Sequence, residues 1–197
     1  MAEPASKPDD TMTVEEFLAW SPGDGRMWQL VDGVPTAMAP ASRRHNQVQG
    51  ELGALIRNHL LEQGSPCSVV PTPGVITPVR HDRNLRIPDL AVSCADLDDD
   101  AGPLPDPLLI VEVLSPSNQA ETWINVWTYT MIPSVQEVLV LHTQSVRADL
   151  LRRRPDGTWP VDPERVTDGD VVLESIGFRT PLLGLYRLTG LRRRTAG

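Results

Sequence analysis

The sequence predicts an α/β protein in which a mixed β-sheet is flanked by helices, with a β-rich periphery following the main sheet. Three observations carry this prediction. Residues 108–114, Leu-Leu-Ile-Val-Glu-Val-Leu, form a near-continuous apolar run, the mark of a strand covered on both faces. From His45 to Glu62 the residues Val48, Leu52, Leu55, Ile56 and Leu60 recur at three- and four-residue spacing, which describes a helix laying one face on a sheet. Helical and strand patterns are interspersed without the regular alternation of a doubly wound fold, so the sheet is expected to be mixed.

The elements follow in order. Thr13 with Glu16 reads as a capping box opening a short helix from Val14 to Trp20, which Ser21-Pro22-Gly23-Asp24-Gly25 ends. Trp28 to Met38 reads as two short strands turning at Asp32-Gly33, since that pair accepts the positive φ a tight hairpin requires. After the helix, stopped by Gly64, the stretch Val69 to Val79 is interrupted by Pro71, Pro73 and Pro78 and reads as bent edge strands; Asp89 to Cys94 should be more central. The central strand Leu108 to Leu114 leads to a helix from Gln119 to Met131, with Trp123, Val126 and Trp127 as its apolar stripe. Strands at Glu137 to His142, Ala148 to Arg152 and near Val171 to Leu173 complete the tail.

A chain of 197 residues suits one domain, expected over 12–190, with a disordered leader at 1–11 and a frayed tail at 191–197. The formal net charge of −8 speaks against holding nucleic acid by bulk electrostatics, so any DNA contact must be local. Arg152-Arg153-Arg154 and Arg192-Arg193-Arg194 are the candidates, or else solvated turn and tail. Cys67 and Cys94 suggest neither a zinc site nor a disulfide framework and read as separate thiols. The acidic run at 96–100 reads as a solvated loop. With no apolar h-region at the start and no run long enough to cross a bilayer, a cytoplasmic protein without membrane contact is expected. Lys7 is the only lysine in the chain.

Chemistry concentrates between Arg86 and Tyr129. Glu112 lies in the middle of an apolar strand, where a carboxyl is costly unless something pairs with it. Asp89 heads a second apolar strand. Strand alternation puts Ile110, Glu112 and Leu114 on one face, and two acids on adjacent strands would hold a divalent cation through oxygen.

The segments Arg86-Ile87-Pro88-Asp89-Leu90-Ala91-Val92 and Glu112-Val113-Leu114-Ser115-Pro116-Ser117, the second leading into a helix, resemble the Uma-two family. This is a bacterial group of restriction-endonuclease-like proteins in the nuclease superfamily named for its Pro-Asp…Asp/Glu-x-Lys motif, and the resemblance runs from about Met12 to Leu188. It implies a restriction-endonuclease-like fold and a metal-dependent endonuclease hydrolysing phosphodiester bonds. Asp89 and Glu112 would be ligands of Mg2+ or Mn2+, helped by the carbonyl of Val113. It further implies DNA as a partner and a homodimer.

Two positions depart from the family pattern. The motif lysine should stand at 114, where this chain has Leu114; the alternative family position, on the next helix four residues before a tyrosine, is Asn125. Glu121, Asn125 and Tyr129 share one helix face at successive i, i+4 spacings. Where the family has a glutamate in a Tyr-Glu-Leu-Ile-Asp-Gly-like segment, this chain has Gln29. Loss of one acid and one lysine together leaves the formal charge of the set unchanged, so metal binding is expected to survive while rate suffers. His45 matches a family histidine near a helix start, as a phosphate or proton ligand or as an ordinary first-turn residue. His59 reads as core, and Trp123 with Trp127 as core or dimer contact. Two further readings compete with a nuclease: a noncatalytic binding or assembly module retaining the fold, and a hydrolase of a small phosphorylated molecule.

Overall fold

The computed structural model describes residues 11–96, 102–116 and 119–191. Lys7, residues 97–100 of the acidic run, the arginines 192–194 and most of the expected leader and tail lie outside the described residues.

The first helix, α1 (Val14–Ala19), is closed by the expected capping box: Thr13 Oγ1 accepts from the Glu16 N–H at 3.2 Å, and the Glu16 carboxylate accepts from the Thr13 N–H at 2.7 Å. Strands β1 (Trp28–Val31) and β2 (Val34–Ala37) form the hairpin, turning through Asp32 at φ 49° and Gly33 at φ 83°. A side chain at Gly33 would also bring its Cβ to 2.8 Å from that of Thr11, so both conformation and space demand glycine. Helix α2 (Arg43–Glu62) follows. Next come β3 (Ser68–Pro71), β4 (Val75–Ile76), β5 (Leu85–Arg86), β6 (Leu90–Ser93) and β7 (Pro107–Leu114). Helix α3 (Gln119–Tyr129) leads to β8 (Glu137–His142), β9 (Ala148–Arg152), β10 (Glu164–Val166), β11 (Asp170–Leu173), β12 (Phe178–Pro181) and α4 (Leu182–Leu185).

The main sheet has six strands in the order β10-β9-β8-β7-β6-β3, and it is mixed: β7 and β8 run parallel across α3, while the other pairs are antiparallel. A four-stranded sheet, β2-β1-β5-β4, and the pair β11-β12 stand beside it. Strand β7 behaves as its apolar run predicts. Leu109, Val111 and Val113 pack with the α2 stripe Val48, Leu52, Ile56 and Leu60, whereas Ile110 and Leu114 pack with Val126 and Tyr129 of α3. Each fully buried side chain of this kind contributes about 1.5–3 kcal/mol, so the two helices are held to the sheet chiefly by these stripes. No helix among the described residues is long and apolar enough to cross a membrane.

Several expectations are corrected. Cys67 and Cys94 are joined by a disulfide, because β3 and β6 pair antiparallel with Ser68 opposite Ser93, which brings the preceding and following residues together. The inward face of α3 is Thr122, Asn125, Val126 and Tyr129; Trp123 is half-buried, and Trp127 turns outward with Ile124 and Met131. The arginines of 152–154 are engaged by the fold itself. Arg152 Nε donates to Glu137 Oε1 at 2.8 Å, Arg153 donates to the Pro133 carbonyl and lies over Trp159, and Arg154 donates to Thr158 and the Trp159 carbonyl. His59 packs edge-on against Phe178 and hydrogen-bonds at the Ile176 carbonyl, in keeping with a core role. Strands β10 and β12 and helix α4 are additions that short, weakly patterned segments do not announce.

Candidate functional site

The site begins with strand register. Leu90 stands opposite Val111 in the β6–β7 pair, so the residues one step outward, Asp89 and Glu112, meet across the end of the ladder on the face that α3 covers. Proline at 88 has no N–H to extend that ladder, so regular pairing stops where the acids stand. The main chain of Asp89 is pinned instead through its carbonyl, which accepts from Gln49 Nε2 at 2.7 Å and from the Thr72 N–H at 3.0 Å. Its carboxylate accepts from the Val113 N–H at 2.6 Å and meets His45 Nε2 at 3.1 Å. His45 reaches this point because it lies in the first turn of α2, capped by Ser42.

Glu112 is buried, and Tyr129 Oη donates to its Oε1 at 2.9 Å. Burial pushes the Glu112 carboxyl well above the usual range. The negative charge of Asp89, a hydrogen bond shared with Asp89 and the charge of Glu121 push it the same way, against the opposing hydrogen bond from Tyr129. Burial likewise raises the Tyr129 phenol, reinforced by Glu112, so it stays a neutral donor.

A cavity of about 730 Å³ has Gln29, His45, Asp89, Glu112, Glu121 and Asn125 in its wall. All five side chains expected at the site thus come together, from β1, α2, the head of β6, β7 and α3. Val113 contributes its N–H to Asp89 rather than a side chain to the wall. Asn125 is buried one turn from Glu121 and one turn from Tyr129, as the helical spacing predicts. Gln29 is 2% exposed; its Nε2 donates to Glu121 Oε1 at 2.8 Å, and its Oε1 has no partner among the described residues. Among the described residues no three His, Cys, Asp or Glu side chains converge as a ready metal cage.

Sequence reasoning did not find the Gln29–Glu121 contact or the role of Gln49. It also missed the situation of Arg86, a buried guanidinium with no carboxylate at ion-pair distance among the described residues and a 3.5 Å contact to the Leu30 carbonyl. Burial lowers the pKa of Arg86, while Tyr129, Asp32 and Glu121 oppose that shift. An arginine two residues before the Pro88-Asp89 pair was the available signal, and its side chain is not among those that line the cavity.

A mixed sheet flanked by helices, with acids meeting at the ends of two adjacent strands, is a restriction-endonuclease-like fold. The chain belongs to the Uma2 family, whose model, described as "Putative restriction endonuclease", matches residues 14–180. It is 30% identical over 189 residues to the uncharacterized protein slr1290 of Synechocystis sp., an alignment covering 95% of this chain and 97% of that one. Its fold is similar to the crystal structure of a putative nuclease belonging to DUF820 from Anabaena variabilis. There the TM-score is 0.73 at 15% identity, covering 90% of this chain and 99% of the other.

Proposed function

We propose that this chain is a nuclease-like hydrolase of phosphodiester bonds that uses Mg2+ or Mn2+ and turns over slowly. The observation that carries the reading is the buried carboxyl pair, Asp89 and Glu112, in the wall of a cavity large enough to admit a nucleotide segment. The residues fit a hard divalent cation. Two carboxyls face one another there, an arrangement of charge that a cation would relieve, and Gln29, whose Oε1 has no partner among the described residues, lines the same cavity. Asp89 and Glu112 would hold the ion with the Val113 carbonyl, which in a strand points to the same edge as the Val113 N–H bound to Asp89. Bound there, the cation supplies a water of lowered pKa and neutralises charge on a phosphate oxygen.

The protein's own groups do the rest. His45 orients the Asp89 carboxylate, and Tyr129 orients that of Glu112. Asn125 offers a hydrogen bond to a phosphate or a water, but it carries no charge and takes no proton near neutral pH. That neutrality, in a chain whose single lysine is Lys7, is the reason for slow turnover. It also favours a second reading, a noncatalytic binding module that keeps the cation site. Calorimetric titration of Mn2+ and Mg2+ into wild type and Glu112→Ala, with cleavage of supercoiled DNA followed on the same samples, decides between them. Metal binding abolished in the variant together with cleavage supports the hydrolase; binding without cleavage leaves the binding module; no binding at millimolar metal ends both. With a net charge of −8, DNA affinity should reside in a few local contacts and fall with salt by a shallow slope.

A further inference from the structure

Two observations meet at Gln29. Its side chain is almost wholly buried with Oε1 unpartnered among the described residues, and its Nε2 is held at 2.8 Å by a carboxylate 92 residues away. A primary amide donates only through nitrogen and accepts only through oxygen, and an ionised carboxylate only accepts. The contact with Glu121 therefore fixes which way round the amide stands. Turned over, it would set the Gln29 carbonyl against the Glu121 carboxylate, two acceptors with no hydrogen between them. In the fixed orientation Oε1 is left without a partner among the described residues, on a side chain that lines the same cavity as Asp89 and Glu112.

We propose that Glu121 is a positioning residue whose carboxylate holds the Gln29 amide with Oε1 presented as a neutral third oxygen ligand to the cation carried by Asp89 and Glu112. This rests on the metal reading given above. A carboxylate at position 29 would present an acceptor whichever way it turned and would need no such partner; an amide needs one. The glutamate one turn before Asn125 supplies it, because α3 projects Glu121 and Asn125 into the same wall.

The test is Mn2+ titration calorimetry on wild type, Glu121→Gln, Gln29→Leu and the exchanged pair Gln29→Glu/Glu121→Gln, with thermal unfolding and the side-chain amide NMR signals of the metal-free proteins alongside. Residues that orient metal ligands typically govern affinity by 10–100-fold, so Glu121→Gln should weaken Mn2+ by roughly tenfold or more without lowering the unfolding temperature. Gln29→Leu should do the same. The exchanged pair keeps a hydrogen bond with roles reversed and should restore affinity to at least that of wild type. In metal-free wild type the Gln29 amide protons should exchange slowly with solvent, and Glu121→Gln should remove that protection. Unchanged Mn2+ affinity in Glu121→Gln and Gln29→Leu, with wild type binding and Glu112→Ala not, overturns the positioning role and leaves the cation site standing. A wild type that binds no Mn2+ overturns both. Should Glu121→Gln fail to fold, the exchanged pair carries the decision, and an affinity below that of wild type overturns the proposal.

Discussion

Replacing Glu112 by glutamine tests the electrostatics at the centre of the site without any metal. In the unfolded chain this carboxyl titrates near 4.5; in the folded protein burial pushes its pKa up, and the neighbouring Asp89 adds to the effect. Between those two values the folded state holds one more proton than the unfolded state. Stability must then fall as pH rises, with a limiting slope of about 1.4 kcal/mol per pH unit for one proton. The contribution of Glu112 is fully present below the unfolded value and is lost as pH rises through the folded one. Glutamine keeps the shape and an oxygen to accept from Tyr129, but does not titrate. Inside that window wild type should therefore lose stability relative to Glu112→Gln at up to about 1.4 kcal/mol per pH unit. Urea unfolding in the presence of a chelator, at intervals between about pH 5 and pH 8, reads this difference from the shift in midpoint at constant slope. Stability curves for the two proteins that run parallel across the range would refute the reasoning, because they would mean that the Glu112 proton affinity is the same folded and unfolded.

Other groups give independent expectations. Asp149 is fully buried; burial alone would raise its carboxyl, but hydrogen bonds from His142 and Arg147 outweigh that and hold it below 3.8. Its stabilisation is present above the unfolded value and lost as pH falls through the folded one. Asp149→Ala should cost about 3–5 kcal/mol near neutral pH, with a flatter acid limb in thermal unfolding. Tyr129→Phe leaves the Glu112 acceptor without its donor and should cost about 1–3 kcal/mol by urea unfolding. Cys67→Ser opens a bridge between residues 27 positions apart and should cost about 3 kcal/mol, with dithiothreitol producing the same loss in wild type and none in the variant.

What the sequence displays and what it conceals can be told apart at two buried glutamates. Helix α2 and strand β7 were legible because their signals are local: an apolar residue every third or fourth position, and an unbroken apolar run. The meeting of Asp89 and Glu112 was legible because a carboxyl inside such a run requires a partner. The partner itself was not always legible. Gln29 finds Glu121 across 92 residues, and Cys67 finds Cys94 only once β3 lies beside β6, relations that no spacing encodes. Trp127 shares an apolar character with Val126, yet one turns out and the other in, since the neighbouring sheet chooses the face. Glu137 makes the point most sharply. It opens strand β8 and is 1% exposed, a buried acid like Glu112, but Arg152 Nε, the N–H groups of Glu174 and Ser175 and the Ser175 hydroxyl all donate to it. Every lone pair of consequence at Glu137 is answered by a donor, so that acid ties β8 to the C-terminal segment and has no capacity left for chemistry. Glu112 is answered by one phenol and faced by another acid, so burial and that neighbouring charge push its carboxyl up without a set of donors to offset them. Burial is common to both; what separates the two carboxylates is whether donors or another acid occupy the space around them.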